Sequence, residues 1–324
     1  MKNTDFSALA TRCLLSDMMT NKQRIIAIAG PTAVGKTALS IALAKALGGE
    51  IISCDSMQIY RGMDIGTAKP TKEELAAVPH HMIDVADPAD NYSCADYSSE
   101  ASNILVDLLA RGKTPIFCGG TGLYLESVLY EGAYSSPEAD EALREKLWAK
   151  TAEENHAELM RVDPEAAAAI HPNNRKRVIR ALEVYLVSGK TKTEWDKENT
   201  RGTLKEGAEL YVLTSSDREA LYRRIDTRVD LMLEAGLLDE VKRLALDPVT
   251  TAGQAIGYKE LNGYFAGQVT LDEAVDKIKQ ASRNYAKRQL TWWERNPHAV
   301  KIDMATTTVE EALAKILDGS LWTK

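Results

Sequence analysis

Gly30-Pro31-Thr32-Ala33-Val34-Gly35-Lys36-Thr37 decides the fold of this chain. The spacing G-x-x-x-x-G-K-[ST] marks a loop whose backbone amides, with the N-terminus of the helix it opens, cradle phosphate oxygens. Lys36 adds a point charge, and the Thr37 hydroxyl stands where such loops ligate Mg²⁺. The motif works only between a buried strand and a helix. Ile25-Ile26-Ala27-Ile28-Ala29 supplies the strand, and residues 36 to 47 carry helical periodicity. The chain is therefore expected to handle a di- or triphosphate.

Outward from the loop, short apolar runs alternate with helical patterns, which predicts a doubly wound parallel α/β sheet of the P-loop NTPase kind. Strands are expected at 24 to 29, 50 to 54, 81 to 85, 114 to 118 and 209 to 215, and helices at 36 to 47, 94 to 111 and 121 to 131. Four segments follow from the composition: a flexible leader at 1–22, the α/β core at 23–136, a helical insertion at 137–200, and a return to the core with C-terminal helices at 201–324. Met18 and Met19 close the leader, which reads as dispensable. The insertion is rich in Ala, Glu, Lys and Arg and is broken at Pro164, Pro172 and Gly189. Beyond it, Asp217 is an expected N-cap for a helix to about Leu246 interrupted at Gly236, and Thr270-Leu271-Asp272 opens a long helix to Glu294.

With 324 residues and 44% apolar composition the chain can bury one large core or two modest ones. A net charge of −7 argues against a uniformly basic protein, although a local basic face can bind nucleic acid on an acidic whole. Cys13, Cys54, Cys94 and Cys118 form no C-x-x-C pair, so neither a disulfide framework nor a zinc knuckle is indicated and a cytoplasmic compartment is expected. No apolar run approaches the roughly 20 residues of a membrane span.

Two further turns point to chemistry. Asp55-Ser56-Met57-Gln58 follows the apolar run Glu50 to Cys54, and Thr114 to Cys118 ends in Gly119-Gly120-Thr121-Gly122 where a hydrolytic enzyme of this fold carries an acid. Ligands of open α/β sheets bind beyond the carboxyl ends of the strands, so Asp55 and Thr121 are expected on one rim with Lys36. A carboxylate there can serve as a general base, or simply cap a turn through Ser56. Basic stretches occur at Asn173 to Arg180, and at Lys277 to Trp293 with Tyr285, Trp292 and Trp293 interleaved. Cations with aromatics suit RNA, whereas charge alone suits a solvated helix face. Among Arg218, Arg223, Arg224 and Arg228, the pair Arg224 and Arg228 shares a helical face, free to reach a diphosphate or to pair with Asp226 or Asp230.

GPTAVGKT at 30–37, DSMQIYRGMDIGTAKP at 55–70, PHHMIDV at 79–85, GGTGLYLES at 119–127, HPNNRKRVIRALEVY at 171–185, RVDLMLEAGLLDEV at 228–241, QAIGYKE at 254–260 and NYAKRQLTWW at 284–293 together resemble the bacterial tRNA dimethylallyltransferases, or tRNA isopentenyltransferases. The resemblance runs from about Arg24 to Asp303. It implies transfer of a dimethylallyl group from dimethylallyl diphosphate to the exocyclic amine of the adenosine immediately 3′ of a tRNA anticodon. It implies that Gly30, Pro31, Thr32, Ala33, Val34, Gly35, Lys36 and Thr37 hold pyrophosphate, with Mg²⁺ on Thr37, and that Asp55, Thr121 and Arg224 are catalytic. It further implies tRNA contacts by Asp55, Ser56, Met57 and Gln58, by Lys176, Arg177, Val178, Ile179 and Arg180, by Gln254, Gly257 and Tyr258, and by Lys287 and Arg288. A monomer, an anticodon stem-loop partner and no membrane attachment complete the expectation. Thr193 stands where relatives often carry Ser, and no Cys/His pair of the eukaryotic zinc finger follows the last helix. The alternatives are an adenylate prenyltransferase acting on free nucleotide and, from the loop alone, a small-molecule P-loop kinase.

Overall fold

The computed structural model describes residues 24–132, 137, 139–198, 202–319 and 321; the leader with Cys13, Met18 and Met19 lies outside the described residues. The chain divides into two units, one of residues 1–129 and 205–324, the other Tyr130–Leu204.

The first unit opens with β1 (Ile25–Ala29), buried at every position, followed by α1 (Lys36–Leu47) and β2 (Glu50–Ser53). The short helix α2 (Lys72–Ala77) leads into β3 (His80–His81); α3 (Cys94–Ala110), β4 (Pro115–Gly119) and α4 (Gly122–Leu129) follow. Strands buried on both faces read as continuous apolar runs because helices cover the sheet on either side. The segment expected as a strand over 81 to 85 pairs only at His80 and His81, with Ile51 and Ile52. Positive φ at Met82 (61°) and Asp84 (57°) takes the chain out of extended geometry immediately afterwards.

The second unit contains β5 (Tyr130–Glu131), α5 (Glu141–Ala149), α6 (Ala152–Val162), α7 (Pro164–Ala169), α8 (Arg175–Ser188), α9 (Lys192–Glu198) and β6 (Thr203–Leu204), which pairs antiparallel with β5. Its helices enclose an apolar cluster of Leu147, Leu159, Ala166, Ala167, Val178, Ile179, Ala181 and Leu182. Asp163 caps α7 through the Ala166 amide and also accepts the Thr193 hydroxyl at 2.7 Å, a bond that Ser would make equally well.

The first unit resumes with β7 (Ala208–Thr214), α10 (Arg218–Glu234), α11 (Leu237–Leu244), a 3₁₀ turn at Ala252–Gln254, α12 (Tyr258–Phe265), α13 (Leu271–Glu294), β8 (Ala299–Asp303) and α14 (Val309–Leu317). The Asp217 and Thr270 side chains cap α10 and α13, and the left-handed Gly236 separates α10 from α11. The six-stranded sheet runs β3-β2-β4-β1-β7-β8, all parallel. This is the doubly wound P-loop order, and the ends of β1, β2 and β4 fall side by side. The edge strand β8 has no counterpart among the expected strands. It is short, only Ile302 is buried along it, and the exposed Lys301 reads as surface rather than sheet.

Candidate active site

The turn after β1 must pass under β7: a Cβ on Gly30, whose φ is 141°, would lie 2.4 Å from the Leu213 carbonyl oxygen. Ala33 (φ 61°) and Gly35 (φ 105°) hold the loop in the left-handed turn that precedes α1, while Val34 faces the apolar core. The Lys36 ammonium folds back onto the Pro31 carbonyl at 2.6 Å. Desolvation inside the loop pulls its pKa down to about 8, with Arg228 pushing the same way and Cys118 and Asp55 opposing.

Asp55, Ser56 and Thr121 meet as expected from their places after β2 and β4. The Ser56 amide donates to Thr121 Oγ1 at 3.1 Å, and that hydroxyl donates to Ser56 Oγ at 3.3 Å. One Asp55 oxygen accepts the Met57 amide at 2.9 Å, so the turn-capping role is real but occupies only one lone pair of the carboxylate. The electrostatic reach of Asp55 extends to both cations of the site: it favours the charged forms of Lys36 and of Arg228, whose pKa burial lowers. The phosphate loop and the Asp55 turn are joined by hydrogen bonds through Gln289, Gly120 and Thr121.

Between the two arginines that share a face of α10, Arg228 touches the loop, donating to Thr32 Oγ1 at 2.9 Å. Arg224 is exposed, makes no hydrogen bond or ion pair among the described residues, and lines a pocket with Ala220, Arg223, Thr227, Arg228 and Leu231. Neither arginine is tied up by Asp226 or Asp230. Those carboxylates pair instead with Arg283 (2.5 Å) and Lys279 (2.6 Å) of α13. Part of the basic run on α13 therefore docks one helix to another, while Lys287 and Arg288 remain exposed, Arg288 lying 5.5 Å over the Tyr285 ring.

Several residues expected at an RNA surface sit elsewhere. Val178 and Ile179 are buried in the core of the second unit because they occupy the inward face of α8; Lys176 and Arg177 on its outer face are exposed. Arg180 pairs with buried Glu183 and donates to the Pro137 carbonyl. Tyr258 is 1% exposed and donates its hydroxyl to Glu240 at 2.6 Å. Glu240 also accepts the amides of Asp64, Ile65 and Gly66, and a Cβ on Gly66 would strike the Tyr258 ring at 2.5 Å. Gly257, buried with φ 98°, makes the turn into α12. Gln254 is exposed, its amide donating to the Pro248 carbonyl. Gln58 accepts from Ser53 Oγ and donates to the Thr67 and Ala68 carbonyls, so its amide braces the 64–68 turn. The QAIGYKE and DIGTAKP motifs are locked together through Glu240.

Gln289 has no role in the sequence pattern, and Tyr285 enters it only as an aromatic interleaved with cations. Gln289 is buried on α13 and bonds both the phosphate loop and the Gly120 turn; Tyr285 lies one turn before it, and desolvation first, then the Asp55 charge, push its pKa up to about 12. A polar residue on the inward face of an amphipathic helix was the available signal.

The model of one family described as IPP transferase matches residues 58–296, and a second, described as isopentenyl transferase, matches residues 23–88. A tRNA dimethylallyltransferase of Bacillus subtilis is 52% identical over 304 residues, covering 92% of this chain and 96% of that protein. One from Bacillus velezensis is 53% identical over 293 residues, 89% of this chain and 93% of that protein. Among solved structures, a tRNA isopentenylpyrophosphate transferase from Bacillus halodurans is similar with a TM-score of 0.69 and 43% identity, over 93% of this chain and 97% of that one. A eukaryotic dimethylallyltransferase acting on tRNA gives a TM-score of 0.79 at 31% identity, over 94% of this chain and 81% of that one. No helix among the described residues is long and apolar enough to cross a membrane.

Proposed function

This chain belongs to the tRNA dimethylallyltransferase family, and from that premise we propose that it transfers a dimethylallyl group from dimethylallyl diphosphate to the exocyclic amine of the adenosine 3′-adjacent to a tRNA anticodon, releasing pyrophosphate. The observation that carries the reading is the hydrogen-bonded chain that joins the phosphate loop to the Asp55 turn: Gln289 bonds the Thr32 amide and the Gly120 carbonyl, and Thr121 accepts the Ser56 amide beside Asp55. A base for the acceptor is thereby tied to the cradle of the leaving group.

The amine lone pair of adenine is delocalised into its ring, so attack on the allylic carbon is helped when a carboxylate removes the proton as the C–N bond forms. Asp55 is assigned that proton. Thr121, bonded to the Ser56 amide, fixes the Asp55 turn at the edge of the site. As the C–O bond breaks, charge accumulates on the diphosphate, and the loop amides from Ala33 to Thr37, the Lys36 ammonium and the Arg228 guanidinium are assigned to receive it. Arg224, which lines the same pocket as Arg228, is assigned the outer phosphate.

The donor set fits a Mg²⁺ carried in with the diphosphate. No group of three His, Cys, Asp or Glu among the described residues could hold a metal, whereas a hydroxyl from Thr37 with phosphate oxygens and water is the sparse oxygen shell this ion accepts. Such an ion supplies neutralising charge to the departing pyrophosphate. Lys176 and Arg177 in the second unit and Lys287 and Arg288 in the first are the exposed cations assigned to the RNA backbone.

The test offers labelled dimethylallyl diphosphate with an unmodified anticodon stem-loop, with AMP, or alone. Label is expected in the stem-loop. Transfer to AMP only would convert the reading to a free-nucleotide prenyltransferase, and no transfer to either would remove it. Asp55→Ala is expected to lower the transfer rate by about 100- to 10,000-fold while donor still binds. An unchanged rate would take the base role from Asp55.

A further inference from the structure

We propose that Gln289 is a positioning residue that fixes the distance between the diphosphate cradle and the Asp55 base, an inference that rests on the prenyl-transfer reading above. Gln289 projects from α13 and is 5% exposed. Its Oε1 accepts the Thr32 amide of the phosphate loop at 3.0 Å, and its Nε2 donates to the Gly120 carbonyl at 3.0 Å. The orientation of the amide follows from chemistry: a backbone N–H must meet the oxygen and a carbonyl must meet the nitrogen.

The fit is close on the Gly120 side. A Cβ there would lie 2.0 Å from Gln289 Nε2, so the turn rests directly on the amide. Gly120 precedes Thr121, whose hydroxyl accepts the Ser56 amide beside Asp55. A continuous path therefore runs from Thr32 through Gln289 and the Gly120-Thr121 turn to Ser56 and Asp55. The β1 and β4 loops leave neighbouring strands, yet no backbone bond is needed between their tips when this side chain spans them.

Displacement at the allylic carbon requires the attacking amine and the leaving oxygen to be held together, and a misplacement of about 1 Å costs on the order of 100-fold in rate. Gln289 touches neither reacting group. Its contribution is the fixed separation of the two loops that do.

Full-length Gln289→Leu removes both bonds at similar volume, and Gln289→Glu keeps the acceptor for Thr32 while its ionised carboxylate has no hydrogen for Gly120. Single-turnover transfer to the stem-loop and the Kd for dimethylallyl diphosphate are measured for each. Gln289→Leu is expected to transfer about 100-fold more slowly with donor Kd within about threefold of wild type. For Gln289→Glu, protonation restores an O–H donor to Gly120, so its rate relative to wild type should rise about fivefold or more from pH 8.5 to pH 6. A Gln289→Leu rate within about twofold of wild type, a deficit explained wholly by donor Kd, or a Gln289→Glu ratio independent of pH would overturn the proposal. Should Gln289→Leu fail to fold, the Gln289→Glu profile decides. A wild-type protein that prenylates no RNA fails the parent reading instead, which separates the two.

Discussion

Desolvation within the phosphate loop leaves Lys36 titrating near 8, within reach of ordinary assay conditions. The ammonium attracts the diphosphate and the neutral amine does not, so donor affinity should fall as pH rises through about 8. Below that pH the charge is present and affinity should level off. Calorimetric Kd values for dimethylallyl diphosphate between pH 6.5 and 9.5 check this, and Lys36→Arg, which stays charged throughout, should flatten the curve. A curve of equal slope in both proteins would assign the dependence to the donor. The loop residues were legible because glycine and lysine spacing encodes backbone shape and charge directly. The choice of Arg228 over Arg224 as the loop contact was not, since helical periodicity puts both on one face and only packing against α13 rotates one toward Thr32. Gln289 was hidden for the same reason: its two partners are backbone groups 257 and 169 residues away in sequence.

Between elements, the Glu240 carboxylate of α11 joins three amides of the 64–66 turn to the Tyr258 hydroxyl of α12. Glu240 is 4% exposed, so removing its side chain strands four donors away from water. Glu240→Ala is expected to destabilise the fold by about 3 kcal/mol, and Tyr258→Phe, which loses one bond and keeps the ring under Gly66, by about 1 kcal/mol. Urea unfolding of the two variants measures both. Equal and negligible changes would mean that water replaces the carboxylate. The sequence patterns located α10, α11 and α13 through caps and the glycine at 236, yet they assigned the Gly257-Tyr258 motif by resemblance to RNA contact. What the motif does locally is bury a tyrosine under a glycine, a contact between segments about 190 residues apart that no local periodicity reports. Short strands failed for a related reason: β3 spans two residues and β8 shows only one buried position, too few for an alternation to register.

At the scale of the molecule, the chain leaves the α/β unit after Leu129 and returns at Lys205, whose amide donates to the Leu129 carbonyl at 2.9 Å. The second unit therefore begins and ends at one point of the first, and its helices close over their own apolar cluster. Insertions of this kind are tolerated because the host needs only a loop of the same span. The donor cradle, Asp55, Thr121, Arg228 and Gln289 all belong to the first unit. Replacing residues 130–204 by a short Gly/Ser link should thus leave a folded protein that binds dimethylallyl diphosphate with a Kd within about threefold of the full chain. Transfer to the anticodon stem-loop should be lost, because Lys176 and Arg177 leave with the insertion and each phosphate contact removed weakens RNA binding and flattens its salt dependence. Donor calorimetry and label transfer on the same preparation test the two halves of this expectation together. Full RNA transfer by the shortened chain would confine recognition to α13 and its exposed Lys287 and Arg288, and loss of donor binding would mean that the cradle depends on the inserted unit for its shape.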